Sequence, residues 1–428
     1  MRILVLGASG LIGSAVCARL VAEGHAVIGI SRSRAIGLLA SVSHFRLDIA
    51  RTTRAEDWVP FLEGIDAVVN CAGVLQDAPG DSTRGLHTEG AAALFAACER
   101  QQVRRIVHLS AAGVDRALSS FSKTKRTGDA ILAASSLEWF ILRPSVVIGR
   151  AAYGGSALFR GLAALSVLPA IAGTGPLQLV HLDDVVETVV LCLRPETPAR
   201  RILELVGPRR WTFPQTIDLF RRWMGWRPAV VVPVPDWAAS LIYRAGDAIS
   251  WLGWRPPVRT TAQKEIAQGA TGDPARWQEA TGISVKDIEA ALVQEPASVQ
   301  ERWFARLYLL KAVVFAVLGT FWLATGMIAV GPGFAAGVSL VREAGIGEAL
   351  AAASVIAGGL ADMIIGAAIV YRPTSRAGLY AGLAISLAYA IIGTYLLPRL
   401  WSDPLGPLVK ILPIVVLIAV ALAIREDR

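Results

Sequence analysis

The pattern of hydrophobic and polar positions changes near residue 300. Before that point, apolar runs of strand length alternate with helical patterns, which predicts a parallel sheet with crossover helices. This part is therefore predicted to be a doubly wound α/β fold. The predicted strands are residues 3–6, 26–30, 44–47, 67–70, 105–109 and 139–142, and the predicted helices are 11–22, 87–101 and 122–134.

The last third of the chain contains four long apolar runs with few charges. Each has about the 20 residues needed to cross a bilayer. Buried helices of a soluble domain would show a polar face, and these runs show almost none. The pattern predicts an all-α bundle of four transmembrane helices over residues 307–330, 347–370, 377–397 and 405–424.

One acid, Asp362, falls in the middle of the second run. Acids inside the membrane are costly and often functional. We expect Asp362 to pair with Lys410 or Tyr389, or to have a proton or ligand role.

Basic residues predict the orientation of the bundle, because short cytoplasmic loops are enriched in Lys and Arg. With the N-terminal part inside, more basic residues flank the inner ends than the outer ends. We expect a multi-pass protein of the inner (cytoplasmic) membrane with its soluble part facing the cytoplasm. The inner set is Arg302, Arg306, Lys311, Arg372, Arg376, Arg425 and Arg428, and the outer set is Arg342, Arg399 and Lys410.

Composition supports a membrane protein. Hydrophobic residues make up 54% and charged residues 18% of 428 positions, which excludes a disordered chain and departs from ordinary soluble enzymes. The net charge of +8 indicates an anionic partner, either a membrane surface or a phosphorylated ligand. No metal site is predicted, because the four cysteines lack metal-ligand spacing: Cys17, Cys71, Cys98 and Cys192.

A glycine-rich loop joins the first strand to the first helix. Gly7 permits the tight turn, Gly10 lets the backbone approach a pyrophosphate, and Gly13 allows close helix–strand packing. The phosphates would meet free N–H groups at the helix N-terminus. These glycines also interrupt the N-terminal apolar run, so we expect no signal peptide. The loop predicts a Rossmann-type nucleotide site that also includes Ser9, Leu11 and Ile12.

The end of the second strand favours NADP(H) over NAD(H). An NAD site usually has an acid here, whereas an NADP site has an arginine for the 2′-phosphate. Ser31, Arg32 and Arg34 occupy this position, and no acid does. A solvated basic loop is the alternative.

Six motifs, in order, resemble those of the short-chain dehydrogenase/reductase superfamily, in its extended and atypical branches. Besides the glycine loop, they are Asp48-Ile49, Asn70-Cys-Ala-Gly73, His108-Leu-Ser110, Arg143-Pro144 through Gly149, and His181-Leu-Asp-Asp184-Val. Residues 1–299 look most like the atypical group that includes the NADPH-binding accessory subunit of respiratory complex I. The C-terminal part resembles the DoxX-like membrane family.

The resemblance implies further site residues. Asp48 and Ile49 would contact adenine. The other residues that it implies for the cofactor are Cys71, Ala72, Gly73, Lys125 and Pro144.

The catalytic set of that superfamily is incomplete here. Ser110 matches the serine that polarises the substrate carbonyl, and Lys125 matches the lysine that holds the nicotinamide ribose. The tyrosine position is Phe121, which cannot do acid–base work. The alternative register, with Lys123 and Ser119, also lacks a tyrosine.

Three interpretations follow from the missing tyrosine. The domain binds NADP(H) without turnover, another group supplies the proton, or hydride passes to an acceptor that needs little proton help, such as a quinone. Ser122, Tyr153 and an ordered water are the candidate proton sources.

Residues 151–299 are predicted to form a small α-rich substrate lobe, which places domain boundaries at 1–150, 151–299 and 300–428. Asp183 or Asp184 is expected to cap the helix at 185–193. Residues 236–252 read as an amphipathic helix, either interfacial or packed in the lobe. No nucleic-acid partner is predicted.

These patterns lead to one principal functional hypothesis. The protein would be a membrane-anchored NADP(H)-binding oxidoreductase acting on a lipid-soluble substrate such as a quinone or isoprenoid. The alternatives are a non-catalytic NADP(H)-loaded scaffold or sensor in a membrane assembly, and a nucleotide-gated transporter.

Overall fold

Seven parallel strands form the central sheet of the N-terminal part. The computed structural model describes residues 1–32 and 40–425, so the predicted cofactor residue Arg34 lies outside the described residues. The described residues contain the seven strands of this sheet and four further paired strands. In chain order they are β1 (Arg2–Leu6), β2 (Ala26–Ser31), β3 (Ser43–Arg46), β4 (Ala67–Asn70), β5 (Arg105–Leu109), β6 (Glu138–Pro144), β7 (Val147–Ile148), β8 (Val167–Ile171), β9 (Val180–His181), β10 (Arg201–Leu205) and β11 (Val230–Val234).

The sheet runs in the order β3-β2-β1-β4-β5-β6-β10, and every pair in it is parallel. The strand order reverses between β1 and β4, and ligands of such folds bind outside the carboxyl ends of the strands at this point. The doubly wound Rossmann-type prediction is confirmed. All six predicted strands form, and β10 adds a seventh that the sequence pattern did not predict.

Helices cover both faces of the sheet, and each face has its own apolar core. The helices up to residue 294 are α1 (Leu11–Ala22), α2 (Val59–Leu62), α3 (Ala91–Arg100), α4 (Ser120–Ala133), α5 (Gly154–Ala163), α6 (Leu182–Leu193), α7 (Phe213–Trp223), α8 (Asp236–Trp251), α9 (Thr260–Gln268), α10 (Pro274–Thr281) and α11 (Ile288–Gln294).

A third apolar core lies in the predicted lobe, where α5 and α7 pack together. Two short parallel pairs, β7 with β9 and β8 with β11, accompany these helices. The predicted helix 236–252 forms as α8.

The C-terminal part is helical throughout its regular elements. It contains α12 (Val299–Val330), α13 (Phe334–Glu343), α14 (Glu348–Val370), α15 (Ser375–Leu396) and α16 (Ile411–Ile424). By length and composition, α12, α14 and α15 can cross a membrane, and they are the three such helices among residues 1–32 and 40–425.

The fourth predicted span forms a shorter helix than the sequence pattern predicts. Its helix, α16, has 14 residues and a length of about 21 Å, shorter than the roughly 30 Å of a bilayer core. Pro404, Gly406 and Pro407 keep the start of the 405–424 run out of the helix, and Gly406 has a positive φ of 54°. The sequence pattern also missed α13.

Asp362 is buried in the C-terminal bundle and accepts a hydrogen bond of 3.2 Å from the Tyr389 hydroxyl. Of the two expected partners, the structure therefore selects Tyr389. Lys410 instead stands at the N-cap of α16.

The chain divides into two compact units. The first comprises Met1–Ala248 and Pro256–Ala305, and the second comprises Ile249–Arg255 and Arg306–Arg428. The chain thus enters the second unit briefly at the last turn of α8 before returning to the first.

Candidate functional site

The glycine loop forms a close turn at the switch point of the sheet. Gly7 has a φ of 70°, and a Cβ there would lie 2.9 Å from the backbone of Cys71 and Ala72. A Cβ on Gly13 would lie 2.2 Å from the Gly7 oxygen. Side chains at either position would fill the space between strand and helix. Gly10 is the N-cap of α1, so the first N–H groups of the helix face the loop.

The tip of β2 carries the residues that the sequence predicts to contact the adenosine ribose. Arg32 forms an ion pair with Asp81 and donates to the Gly80 oxygen at 2.8 Å. The Ser31 hydroxyl bonds to His44 at 2.8 Å. Arg46 donates to the Arg32 oxygen at 2.8 Å, which adds a second exposed arginine that sequence reasoning missed.

The predicted adenine residues follow β3. Asp48 accepts from the Ala50 N–H at 3.2 Å and caps a short 3₁₀ turn. The Ile49 side chain is buried in the core on that face of the sheet. Their contact with adenine stays a prediction.

The loop after β4 carries Cys71, Ala72 and Gly73. Asn70 fixes this loop, because its Oδ1 accepts from the Ala72 N–H at 3.1 Å. A Cβ on Gly73 would lie 3.6 Å from Lys125 Nζ. The loop therefore lies between the glycine turn and the predicted ribose lysine.

Lys125 is buried on α4 beside the carboxyl ends of two central strands. Its Nζ donates to the Leu109 oxygen at 2.7 Å and to the Ala72 oxygen at 3.4 Å. Burial lowers the pKa of Lys125 to about 8, and the Asp129 carboxylate opposes this change.

Ser110 belongs to a buried polar network. Its hydroxyl donates to Asp129 Oδ2 at 2.9 Å, and Arg143 bonds to the same oxygen at 3.0 Å. Arg143 also pairs with Asp115 at 2.7 Å. Burial raises the pKa of Asp129, while Ser110 and Arg143 oppose the rise. In this structure the hydroxyl hydrogen of Ser110 is therefore engaged by Asp129.

His108 completes the network in a defined tautomer. Since Asn70 Oδ1 is already an acceptor, Asn70 Nδ2 donates to His108 Nδ1 at 3.1 Å. The ring proton therefore lies on Nε2, which faces Asp129 Oδ1 at 3.7 Å. Burial holds the pKa of His108 well below its usual value, so the ring is neutral.

Phe121 occupies the missing tyrosine position, on the first turn of α4. Its ring meets the His87 ring edge-on, with centroids 5.6 Å apart. Both nitrogens of His87 are engaged, one by the Val74 N–H and the other by Thr124. His87 is therefore held in place and does not offer a free proton.

An unpredicted carboxylate reaches the same helix turn. Glu265 on α9 accepts hydrogen bonds from the hydroxyls of both Ser119 and Ser122. The two serines are buried, while Glu265 is half-buried. Glu265 is therefore a carboxylate held at the N-terminal turn of α4, the turn that also carries Phe121. No local sequence signal marks it, since 143 residues separate it from Ser122.

The remaining predicted residues lie at the rim of this edge. The Tyr153 hydroxyl is 4.0 Å from the Cβ position of Gly10, which places it at the glycine loop rather than at Lys125. Pro144 ends β6, and its oxygen accepts from the Ala112 N–H at 2.9 Å.

The expected aspartate cap on α6 is wrong. The cap is His181, whose Nδ1 accepts from the Asp183 N–H at 3.3 Å. Asp183 pairs with the Lys286 ammonium, and Asp184 accepts from the Lys286 N–H, both at 2.9 Å. Both aspartates thus bind a distant segment that the sequence pattern could not place beside them.

Comparisons with known proteins agree with both parts of the chain. Residues 7–160 match the NAD(P)H-binding family, and residues 319–419 match the DoxX-like family. The chain therefore has an NAD(P)-binding domain resembling short-chain dehydrogenase/reductase proteins, followed by a DoxX-like membrane domain with candidate transmembrane helices.

Individual relatives each match about half of the chain or less. An uncharacterized protein of Mycobacterium tuberculosis is 30% identical over 217 residues, which is 50% of this chain but 22% of that protein. The ceramide reductase of Caulobacter vibrioides is 25% identical over 171 residues, covering 40% of this chain and 53% of the enzyme. The photosystem II assembly factor Ycf39 of Synechocystis is 23% identical over 234 residues, covering 53% of this chain and 68% of the factor.

A solved structure shows the same fold. The Bordetella bronchiseptica enzyme WbmG, in complex with NAD, superposes with a TM-score of 0.54 at 17% identity. The match covers 68% of this chain and 92% of WbmG.

Proposed function

We propose that this protein is a membrane-anchored NADP(H)-dependent oxidoreductase that acts on a lipid-soluble substrate, such as a quinone or an isoprenoid. The observation that carries the proposal is that three features converge at the switch point of the sheet. They are the glycine loop, the loop after β4, and Lys125. The glycine loop approaches Cys71 and Ala72 within 2.9 Å, and Gly73 approaches Lys125 within 3.6 Å, both measured from the Cβ positions of the glycines.

The residues present fit a dinucleotide. Gly7 and Gly13 keep the cradle free of side chains, the N-terminus of α1 suits a pyrophosphate, and Lys125 suits ribose hydroxyls. Arg32 and Arg46 favour a 2′-phosphate, which is the basis for preferring NADP(H). Their side chains would have to exchange present partners, Asp81 among them, for the phosphate.

When bound, NADP(H) supplies or accepts a hydride. Reduction of a carbonyl then also needs a proton at the substrate oxygen, and Phe121 has none to give. We assign this proton to Glu265, which would relay it from bulk solvent to the first turn of α4. Ser119 and Ser122 hold the carboxylate in position through their hydroxyls.

The lipid-soluble substrate is supported by two facts. The DoxX-like domain keeps the chain at a membrane, and one relative is named for reduction of a lipid, ceramide. The proposed location is the inner membrane, with the nucleotide domain facing the cytoplasm.

A non-catalytic scaffold is the second candidate. Phe121 in place of tyrosine favours it, and one relative is named as an assembly factor. In this role, bound NADP(H) would stabilise the folded state by mass action without being consumed.

Turnover distinguishes the two candidates. Full-length protein in nanodiscs, loaded with NADPH, is mixed with a lipid and quinone extract of the host membrane, and reduced-nicotinamide absorbance is followed, with NADH for comparison. If the parent protein consumes NADPH and the Gly10→Asp variant does not, the oxidoreductase is supported. Firm NADPH binding with no consumption contradicts it and supports the scaffold.

The role of Glu265 has its own test. Glu265→Gln should lower turnover about 100-fold or more, with NADPH binding unchanged. Lys264→Gln, a change at the neighbouring exposed residue of the same helix, is the matched control and should leave both unchanged. Full turnover in Glu265→Gln would exclude this proton source.

A further inference from the structure

Helix α8 has a wide apolar face that the first unit leaves exposed. Trp237, Leu241 and Trp251 keep 73%, 63% and 77% of their surface exposed. At 100° per residue, the exposed positions Trp237, Leu241, Ala245 and Ala248 share one side of the helix. Exposed apolar patches of this kind mark a binding surface.

The opposite side of α8 is packed against protein. Ala239, Tyr243, Gly246 and Ser250 are buried there. A Cβ on Gly246 would lie 1.8 Å from the Val258 oxygen, so the backbones are in close contact. The apolar face therefore cannot turn inward without separating α8 from this contact.

The end of α8 leads into the membrane unit. Ile249–Arg255 belong to that unit, where the Leu252 oxygen accepts from the Arg372 N–H at 2.9 Å. The Trp254 indole donates to the Val370 oxygen at 2.7 Å, and Arg372 stacks on its ring at 5.4 Å. Val370 is the last residue of a candidate span, so these contacts lie at the level where that span ends.

We propose that α8 lies in the headgroup region of the bilayer, with the face formed by Trp237, Leu241, Ala245 and Ala248 against lipid. Tryptophan favours this depth, and a helix with one apolar face lies in the plane of the interface. Arg244 is exposed next to the apolar face and is suited to a lipid phosphate. Asp247, on the flank, is paired with Arg259 at 3.1 Å, which offsets its repulsion from anionic lipid.

Depth-dependent quenching tests the proposal on the full chain. Leu241→Cys is labelled with an environment-sensitive fluorophore in nanodiscs of phosphatidylcholine and phosphatidylglycerol, with or without brominated acyl chains. Ser240→Cys, exposed on the polar flank of the same helix, is the matched control. The native thiols are poor competitors, because burial raises the pKa of Cys17, Cys98 and Cys192 to about 12.

The expected result is loss of most of the fluorescence at position 241 in brominated nanodiscs and little loss at position 240. Equal or absent quenching at the two positions overturns the proposal. A disulfide between two copies of Leu241→Cys, formed in place of quenching, also overturns it and identifies a second chain as the occupant.

The unlabelled protein provides a second measurement. Brominated lipid should quench part of the intrinsic tryptophan emission, and Trp237→Phe with Trp251→Phe should remove that part. Both residues are largely exposed, so these substitutions should leave the melting temperature unchanged. An undiminished quenched fraction in the double variant contradicts lipid contact by α8.

Discussion

The charge of Lys125 depends on the fold. Its ammonium is buried and donates hydrogen bonds to the backbone oxygens of Ala72 and Leu109. Its pKa falls from 10.5 to about 8, so the folded state binds fewer protons than the unfolded state between these values. The penalty for burying the charge is fully present below about pH 8 and disappears by pH 10.5.

A pH-dependent stability difference should therefore separate Lys125→Met from the parent. The unfolding free energy of the parent relative to the variant should rise by an amount on the order of 3 kcal/mol as pH increases from about 8 to 10.5. Denaturation in detergent across this range measures it. Lys123→Met, at an exposed position of the same helix, is the control and should show no such dependence on pH. If the difference in unfolding free energy between the parent and Lys125→Met does not change with pH, the lowered pKa of Lys125 is contradicted.

Gly13 tests the nucleotide cradle. Gly13→Ala puts a Cβ 2.2 Å from the Gly7 oxygen, so strand and helix must separate at a cost of about 1–3 kcal/mol. NADPH binding, measured by nicotinamide fluorescence, should be lost. Ser14→Ala, one residue along, should bind normally, and normal binding by Gly13→Ala would show that the loop is not the phosphate site.

Residues differed in how far the sequence could predict them. The strand–helix turn of the glycine loop was predictable from local spacing, whereas Lys125 was identified through the family resemblance; the functional roles of both stay predictions. Glu265 and Arg46 were not predictable, since each reaches the site through pairing between distant segments. The Ser110–Asp129 bond was also missed, because no pattern indicates which way a hydroxyl donates.

At the scale of elements, α8 depends on one close backbone approach. Gly246→Ala would place a Cβ 1.8 Å from the Val258 oxygen, and it should lower the melting temperature through an overpacking cost of about 1–3 kcal/mol. Ala245→Leu, at the neighbouring exposed position, should be neutral. Equal melting temperatures for the two variants would mean that α8 is not held by this contact.

Elements with strong local patterns were predicted well, and those that depend on partners were not. The first helix begins and ends as predicted, and the strand at residues 67–70 does too. By contrast, β10 has two charged residues among five positions, without a regular alternation, and is defined by its pairing with β6. The shortened α16 was predictable in principle, because Pro404, Gly406 and Pro407 are visible in the sequence.

At the scale of the whole molecule, orientation in the membrane is the open question with the clearest test. If the N-terminal part faces the cytoplasm, the loop after α15 faces the opposite side. In intact cells, Ser402→Cys should react with a membrane-impermeant maleimide, and Gln101→Cys should react only after lysis. Both positions are exposed, so the reverse pattern would invert the proposed topology.

The return of the chain to the first unit after Ile249–Arg255 has a consequence for how the two halves can be separated. Three covalent crossings, one on each side of this segment and one after Ala305, join them in place of a single linker. A protease that cuts once near residue 305 would leave the Trp254 segment attached to the soluble half yet folded into the membrane half. The two halves should then remain together after the cut. A gene fragment ending at residue 305 would instead carry an apolar loop whose partners, Phe315, Val370 and Arg372, are missing.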